Sequence, residues 1–260
     1  MDPLTDDDPD RDDPYRDAEL YDLEYADMHE DVAYYTAIAA RSRGPLLELG
    51  CGTGRLTLPM SRAPVRIVGV DIAQSMLDGC QRKLDRLPPA QRARVELIQG
   101  DFRTLRLQRT FATVLWPFNA LHHCHSDAEL ADAIDTLVAH LAPGGLLAVD
   151  AYLPDYDLYD RDPNQRFEGR TFLDPRTGGA LESWEQGWWD PQTRIHHVVY
   201  HYRHRDGRVE KAHLRFHMWE LHELHAAFAR AGFRLQHEAS DYRDTPLEPT
   251  SLKWVATFTR

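Results

Sequence analysis

The sequence predicts a doubly wound α/β fold with a mostly parallel sheet of seven strands. From residue 46 onward, short apolar runs alternate with stretches of helical periodicity. The runs are apolar at successive positions, which is typical of strands covered by helices on both faces. Strands separated by helices pair in parallel through right-handed crossovers, so this alternation indicates a parallel sheet.

Seven apolar segments are expected to form the main sheet. They span 46–49, 67–70, 95–98, 111–116, 146–151, 233–238 and 252–258. Helices are predicted between them, over 53–62, 74–86, 127–141 and 220–231. Gly232 follows the last helix, and a glycine at that position commonly ends a helix.

An aromatic-rich region, 180–218, interrupts the alternation before the last helix. It contains three stretches of strand-like sequence, 181–189, 195–204 and 208–218. Asp206-Gly207 lies between the second and third stretches, and this dipeptide is a strong signal for a two-residue hairpin. The region is therefore predicted to be a small antiparallel β-hairpin insertion on the substrate side of the fold.

The N-terminal part divides into two segments of different character. Residues 1–14 contain seven Asp and little apolar sequence, so they are predicted to be a disordered acidic tail. Residues 15–43 have apolar side chains at helical spacing and precede Gly44. They are expected to form a helical lid, followed by a ligand-binding core over 44–152, within a single domain over 15–260.

The composition excludes several classes of protein. The 260 residues are 42% hydrophobic, and no apolar run approaches the roughly 18 residues of a membrane span. The net charge of -12 disfavours a nucleic-acid partner, which would require a broad basic surface. The three cysteines form no CxxC pair, and the N-terminus lacks the basic start of an export signal, so a cytoplasmic protein without a metal is expected.

A glycine-rich motif follows the first predicted strand. The sequence from Leu46 to Gly54 reads LLELGCGTG, with three glycines at the junction of strand and helix. Glycines there let a ligand approach the backbone beside free amides. Asp71 lies twenty-one residues after Gly50 at the end of the second strand, where a carboxylate can accept both hydroxyls of a ribose. The two features predict a nucleoside site.

A third element follows the third strand, in Gln99-Gly100-Asp101-Phe102. Its carboxylate can accept an adenine amino group, and its aromatic ring can pack on the base. All three elements follow strands of the predicted sheet, and open α/β sheets bind ligands at the carboxyl ends of their strands. A dinucleotide motif is the alternative, but the third glycine falls one place early for it.

With these motifs, the sequence resembles class I S-adenosylmethionine-dependent methyltransferases, which have a Rossmann-like fold. Glu48 to Gly54 matches their E/D-x-G-x-G-x-G motif, and the resemblance covers roughly residues 20–260. The segment Tyr21 to Tyr25 is similar to small-molecule N- or O-methyltransferases, including sugar-amine enzymes. One departure is Ala112 after Phe111, where the family usually has Asp.

The resemblance implies a role for each motif. Glu48 would orient the methionine amino group, Asp71 would bind the ribose, and Asp101 and Phe102 would bind the adenine. Two aromatic residues would close over the methionine tail, Tyr21 and Tyr25. Further contacts with S-adenosylmethionine are implied for Gly50, Cys51, Gly52, Gly54, Ile72, Met76 and Phe118.

A histidine-rich segment, 117–125, follows the fourth strand. The resemblance implies that this segment faces the reacting sulfonium. Methyl transfer is an in-line displacement, so alignment supplies most of the catalysis and a base is needed only for the acceptor's proton. His123 aligns with a histidine of the sugar-amine enzymes, and His122 is the neighbour that could replace it. A purely structural role for His123 is an equal alternative.

The function expected from these features is methyl transfer to an amine or hydroxyl of a small-molecule metabolite. Methylation of a protein or RNA, and a non-catalytic nucleotide-sensing or scaffold role, are the alternatives. A homodimer is possible, because the aromatic insertion could cover either a pocket or a second subunit. The tryptophans of that region could line the acceptor pocket or only fill the contact with the core.

Overall fold

The computed structural model describes residues 13–167, 169–174 and 176–260. Most of the predicted acidic tail, residues 1–12, lies outside the described residues. The strands are β1 Leu46–Leu49, β2 Ile67–Asp71, β3 Val95–Gln99, β4 Phe111–Trp116, β5 Leu141–Tyr152, β6 Thr171–Leu173, β7 Ala180–Asp190, β8 Ile195–Arg203, β9 Val209–His217, β10 Arg234–Ala239 and β11 Lys253–Thr259. The α-helices are α1 Ala18–Glu24, α2 Val32–Arg41, α3 Thr57–Met60, α4 Gln74–Leu84, α5 Pro89–Arg92, α6 Asp127–His140, α7 Tyr156–Tyr159 and α8 Leu221–Arg230.

The seven-stranded sheet is confirmed. Its strands lie in the order β10, β11, β5, β4, β1, β2, β3. Five neighbouring strands of this sheet pair in parallel: β5, β4, β1, β2 and β3. β11 runs antiparallel to both β5 and β10. β1 lies between β2 and β4, with Leu46 opposite Ile67 on one side and Thr113 on the other. The carboxyl ends of these central strands therefore meet at one edge.

The antiparallel insertion is confirmed as a second sheet of four strands, β6 to β9 in chain order. The predicted hairpins correspond to β7, β8 and β9, and β6 was not expected from the sequence. One face of this sheet packs against α1, where Leu20 lies in a buried cluster with Leu181, Tyr202 and Ala212. The insertion thereby holds the first helix of the N-terminal segment.

The N-terminal segment contains two helices, separated by a turn between Tyr25 and Asp31. One helical expectation needs correction. The helix expected over 53–62 is the single turn α3, preceded by a loop. The helix starts late because Gly50, Gly52 and Gly54 have φ angles of 72°, 53° and 83°, which a right-handed helix cannot contain.

The core is a continuous apolar layer on the main sheet. Its largest fully buried side chains include Trp116, Trp219 and Trp254, and Phe228 of α8 packs with them. A smaller buried cluster joins α2 to β1 through Tyr35, Ile38 and Leu46. Among the described residues, no helix combines the length and the apolar character needed to span a membrane.

Gly54 is predicted to tolerate substitution less well than Gly144. Both have a positive φ, but a Cβ on Gly54 would lie 2.5 Å from Cys80 Sγ, whereas a Cβ on Gly144 meets nothing within 4 Å. We expect Gly54→Ala to lower the free energy of unfolding by about 2–4 kcal/mol through strain and overpacking, and Gly144→Ala by about 1 kcal/mol. Urea denaturation measures both, and equal losses would contradict the packing argument.

Candidate active site

A cavity of about 270 Å³ lies at the carboxyl ends of the central strands. It is enclosed by the loops that follow β1, β2, β3 and β4 and by the N-terminal segment. Its lining residues are Tyr15, Tyr21, Gly50, Gly52, Asp71, Ile72, Asp101, Phe102, Arg103, Pro117, Phe118, Ala120, His123 and His125. Its position agrees with the general rule for ligand sites in open α/β sheets.

The glycine loop is tied to β2 by three hydrogen bonds. The backbone N–H groups of Gly50 and Cys51 donate to the carbonyl of Val70 at 2.8 and 2.9 Å. The N–H of Gly52 donates to Asp71 Oδ2 at 2.7 Å. The loop thus turns back over the sheet edge, and the backbone of Gly52 is open to the cavity, with Tyr21 Oη at 4.0 Å from the place of a Cβ.

Asp71 is one of the two carboxylates that line the cavity. Its Oδ1 accepts the N–H of Ala73 at 2.9 Å, which caps the turn into α4. Burial raises the pKa of Asp71, although the backbone hydrogen bonds from Ala73 and Gly52 oppose that effect. A carboxylate in this position is both fixed in direction and available to hydroxyl donors in the cavity.

Glu48 lies beneath the glycine loop rather than in the cavity lining. It is fully buried, and Thr57 Oγ1 of α3 donates to its Oε2 at 2.5 Å. Burial raises the pKa of Glu48 to about 8. The hydrogen bond joins the end of β1 to the start of α3, so Glu48 supports the loop from behind.

The element after β3 places a second carboxylate on the cavity. Asp101 is paired with Arg103, whose Nη2 lies 2.8 Å from Asp101 Oδ2. Burial alone raises the pKa of Asp101, but hydrogen bonds from Arg103 outweigh it and leave the pKa below its usual value. Arg103 also contacts Glu129 of α6 at 2.9 Å, and Phe102 packs edge-on against Trp116 at 5.4 Å.

Aromatic rings of the N-terminal segment cover the opposite side. Tyr21 and Tyr25 lie with ring centroids 4.6 Å apart, and Tyr25 packs edge-on against Phe118 at 5.3 Å. Tyr21 lines the cavity, whereas Tyr25 lies behind it. Tyr15 also lines the cavity, and Ser75 of α4 donates a hydrogen bond to its backbone carbonyl.

His123 presents its imidazole to the cavity. It ends the single 3₁₀ turn Ala120–His123, and its Nε2 lies 2.7 Å from the hydroxyl of Tyr15. Phe216 of β9 packs edge-on against the ring at 5.3 Å. Burial lowers the pKa of His123 to about 3, with further lowering from His125 and other cationic neighbours. The ring is therefore neutral near pH 7, and the same burial makes it a weak base.

His122 points away from the cavity. Its side chain is fully buried, and its Nδ1 donates to the backbone carbonyl of His217 at 2.7 Å. Burial lowers the pKa of His122 to about 4. Of the two histidines singled out in the sequence, His123 has the geometry for contact with a ligand, and His122 anchors the turn to β9.

Phe118 and Asn119 form a strained entry to this turn. Both are non-glycine residues in the left-handed region, with φ angles of 57° and 60°. Such backbone costs about 1–3 kcal/mol per residue and requires compensation from its surroundings. Arg55 lies over the Phe118 ring at 4.1 Å and forms two hydrogen bonds of 2.6 Å with the buried Asp31.

The structure separates the predicted site residues into two groups. Those on the cavity are Tyr21, Gly50, Gly52, Asp71, Ile72, Asp101, Phe102, Phe118 and His123. Those outside its lining are Tyr25, Glu48, Cys51, Gly54, Met76 and His122. Sequence reasoning missed Tyr15 and Arg103. Tyr15 stands at the border of the acidic tail, and Arg103 directly follows the Asp-Phe pair, so only their positions beside predicted elements could have indicated them.

Possible metal ligands do not cluster in the described part of the chain. No group of three or more His, Cys, Asp or Glu side chains there could hold a metal ion. The cysteines Cys51, Cys80 and Cys124 are free and buried.

The strand order and the glycine loop define a Rossmann-like α/β fold. Residues 46–145 match a family model described as a methyltransferase domain. The predicted resemblance is thereby confirmed over the residues that carry the glycine loop, Asp71 and the Asp-Phe pair.

The curated relatives that the chain matches include bacterial methyltransferases. The chain is 32% identical over 142 residues to a dTDP-3-amino-3,4,6-trideoxy-alpha-D-glucopyranose N,N-dimethyltransferase of Streptomyces venezuelae, covering 52% of this chain and 56% of the relative. It is 34% identical over 110 residues to the cypemycin N-terminal methyltransferase of a Streptomyces species, covering 42% of each chain. The chain thus spans about half the length of the curated relatives it matches.

Solved structures share the fold over almost the whole chain. The CcbJ methyltransferase of Streptomyces caelestis superposes with a TM-score of 0.73 at 22% identity, covering 89% of this chain and 94% of that one. CalS10, an amino pentose methyltransferase of Micromonospora echinaspora with SAM bound, gives a TM-score of 0.69 at 24% identity, covering 93% and 97%. These likenesses show the fold of the chain.

His123 is expected to make the protein less stable in mild acid. Its folded pKa of about 3 lies below the unfolded value of roughly 6.5, so protonation of the unfolded chain removes stability as the pH falls below 6.5. Between pH 7 and pH 5, the free energy of unfolding should fall by about 2 kcal/mol less in His123→Asn than in the wild type. Denaturant titrations at both pH values measure this difference, and parallel losses would contradict a neutral His123.

Proposed function

We propose that the protein transfers a methyl group from S-adenosylmethionine to an amine or hydroxyl of a small molecule. The observation that carries the proposal is the convergence of Asp71, the Asp101-Phe102 pair and His123 on one cavity beside the glycine loop. The N,N-dimethyltransferase activity named for two relatives, at 32% and 30% identity, favours an amine acceptor.

The residues of the cavity fit this cofactor. Asp71 would accept the ribose hydroxyls, because its carboxylate is fixed by backbone donors and faces the cavity. Asp101 and Phe102 would hold the adenine, with Ile72 on its other face. Tyr21 and the open backbone of Gly52 would lie along the methionine tail.

In this proposal, the predicted cofactor residues outside the cavity lining support the residues that line the cavity. Glu48 holds the glycine loop from beneath, and Tyr25 supports the rings of Tyr21 and Phe118. Cys51 and Gly54 belong to the loop backbone itself, and buried Met76 packs within α4. Their substitution would act on cofactor affinity through the shape of the loop.

Catalysis would rest on alignment, water exclusion and a single proton acceptor. The bound cofactor supplies an electrophilic methyl group. His123 lines the cavity with its Nε2 beside the Tyr15 hydroxyl, so it would take the proton that an acceptor amine or hydroxyl loses on methylation. Its lowered pKa makes it a weak base, so alignment would supply most of the rate. Phe118 and Tyr15 exclude water from the point of transfer.

Cofactor binding is the first test. The wild type should bind S-adenosylhomocysteine one-to-one in calorimetric titration and should not bind NAD. Asp71→Ala should weaken the affinity at least about tenfold, because two hydrogen bonds to a carboxylate are lost. Asp132→Ala, on the exposed face of α6, is the matched control and should bind like the wild type. An unchanged affinity of Asp71→Ala would refute the site.

The role of His123 is tested by turnover once an acceptor is found. Loss of a general base typically costs 10²- to 10⁴-fold, so His123→Ala should lower kcat at least about 100-fold at saturating acceptor. Tyr15→Phe should lower it less, because the imidazole remains. A rate for His123→Ala within a few-fold of wild type would remove His123 as a base and leave positioning as the source of catalysis.

A second candidate acceptor is the amino terminus of a peptide. The relative that methylates the cypemycin N-terminus favours it. A labelled-methyl transfer assay over a metabolite extract, a peptide mixture and RNA separates these classes, and incorporation into none of them would favour a non-catalytic nucleotide-binding role.

Two further expectations belong to this proposal. The three free cysteines favour a reducing compartment such as the cytoplasm.

The outer face of the antiparallel sheet carries Trp184 and Trp188 stacked on His201 and His197, which supports a homodimer through this face. A monomeric mass in light scattering would refute the dimer.

A further inference from the structure

Asp150 is a buried carboxylate that the sequence motifs did not single out. It lies in the last part of β5, on the sheet edge below the cavity, and none of its surface is exposed. It does not line the cavity, so it has no direct contact with a ligand there. A buried charge requires hydrogen-bond donors, and the donors around Asp150 show its part in the site.

Two of these donors are the strained residues that follow β4. Asp150 Oδ1 accepts the backbone N–H of Phe118 at 2.9 Å, and Oδ2 accepts that of Asn119 at 3.1 Å. Both residues have a positive φ. One carboxylate therefore holds two consecutive left-handed residues by one oxygen each, a geometry that a neutral amide cannot reproduce, because it has one acceptor oxygen.

A third donor comes from the N-terminal segment. The hydroxyl of Tyr35 in α2 donates to Asp150 Oδ1. Tyr35 is fully buried in the cluster that joins α2 to β1, so Asp150 is fixed on the side away from the cavity. The carboxylate belongs to β5, and through its hydrogen bonds to Phe118 and Asn119 it connects the position of β5 to the loop above it.

The loop carries the groups that would meet cofactor and acceptor. Phe118 and Ala120 line the cavity, and the 3₁₀ turn that follows presents His123. Without acceptors for both N–H groups, the left-handed pair would relax toward commoner backbone angles, and the turn would rotate with it.

We propose that Asp150 is a positioning residue, which fixes the Phe118-Asn119 backbone and so sets the place of Phe118 and His123 for methyl transfer. It does so through the loop and touches neither cofactor nor acceptor. The consequence for catalysis rests on the proposed function, whereas the consequence for the loop does not.

The loop is tested by hydrogen exchange, which requires no acceptor. In the wild type, the amides of Phe118 and Asn119 should exchange at least about 100-fold more slowly than in an unstructured chain, because a buried carboxylate holds them. Exchange near the unstructured rate would overturn the proposal without any variant. Asp150→Asn should accelerate these amides about tenfold or more relative to those of α4, which serves as the internal reference.

Tyr35→Phe is the matched control. It removes one hydrogen bond from the same carboxylate but leaves both backbone N–H groups their acceptors. The amides of Phe118 and Asn119 should then exchange within about threefold of wild type. Equal acceleration in both variants would show that Asp150 has a general structural role, and the proposal would fail.

The catalytic consequence is measured by comparing the change in kcat with the change in S-adenosylhomocysteine affinity. Asp150→Asn should lower kcat about 10- to 100-fold, the usual cost of a misplaced catalytic group, while S-adenosylhomocysteine affinity falls less than about fivefold. Tyr35→Phe should keep kcat within about threefold. A change in affinity alone would overturn the positioning role. If the wild type transfers no methyl group, the proposed function fails, and the exchange measurements still decide the role of Asp150.

Discussion

The parallel pairing of β1 with β2 and β4 is the constraint on which the site depends. Because these strands run in one direction, their carboxyl ends meet at one edge, and the loops after them share one cavity. The hydrogen bond from Gly52 N–H to Asp71 then fixes the distance between the first two loops. A glycine loop and an acidic residue far apart in the sequence become one surface through this pairing.

Buried titratable groups surround the cavity, and each is held by a specific partner. Thr57 donates to Glu48, two backbone N–H groups donate to Asp71, and Tyr35 and the loop donate to Asp150. The partners differ in function: some shape the cofactor surface from beneath, and others orient the turn that carries His123. The neutral state of His123 follows from the same burial, which disfavours its charged form.

Much of the fold was predictable because local patterns agree with the tertiary structure. The apolar runs became strands within a residue or two of their predicted bounds, except for β5, which begins at Leu141. The helix expected over 53–62 was wrong because the glycine angles displace its start. The contact of Tyr15 with His123 spans 108 positions and depends on how α1 packs against the insertion, which no local pattern encodes.

The sequence by itself determined the order of strands and helices, the glycine loop and the carboxylates after β2 and β3. These features depend on residue type at fixed spacing, and spacing is local. Only the tertiary structure decided that His123 faces the cavity while His122 is buried against β9. It also decided that Asp150 accepts hydrogen bonds from the loop that joins β4 to these histidines. Such choices depend on long-range packing, where adjacent residues of one short turn point in different directions and meet different neighbours.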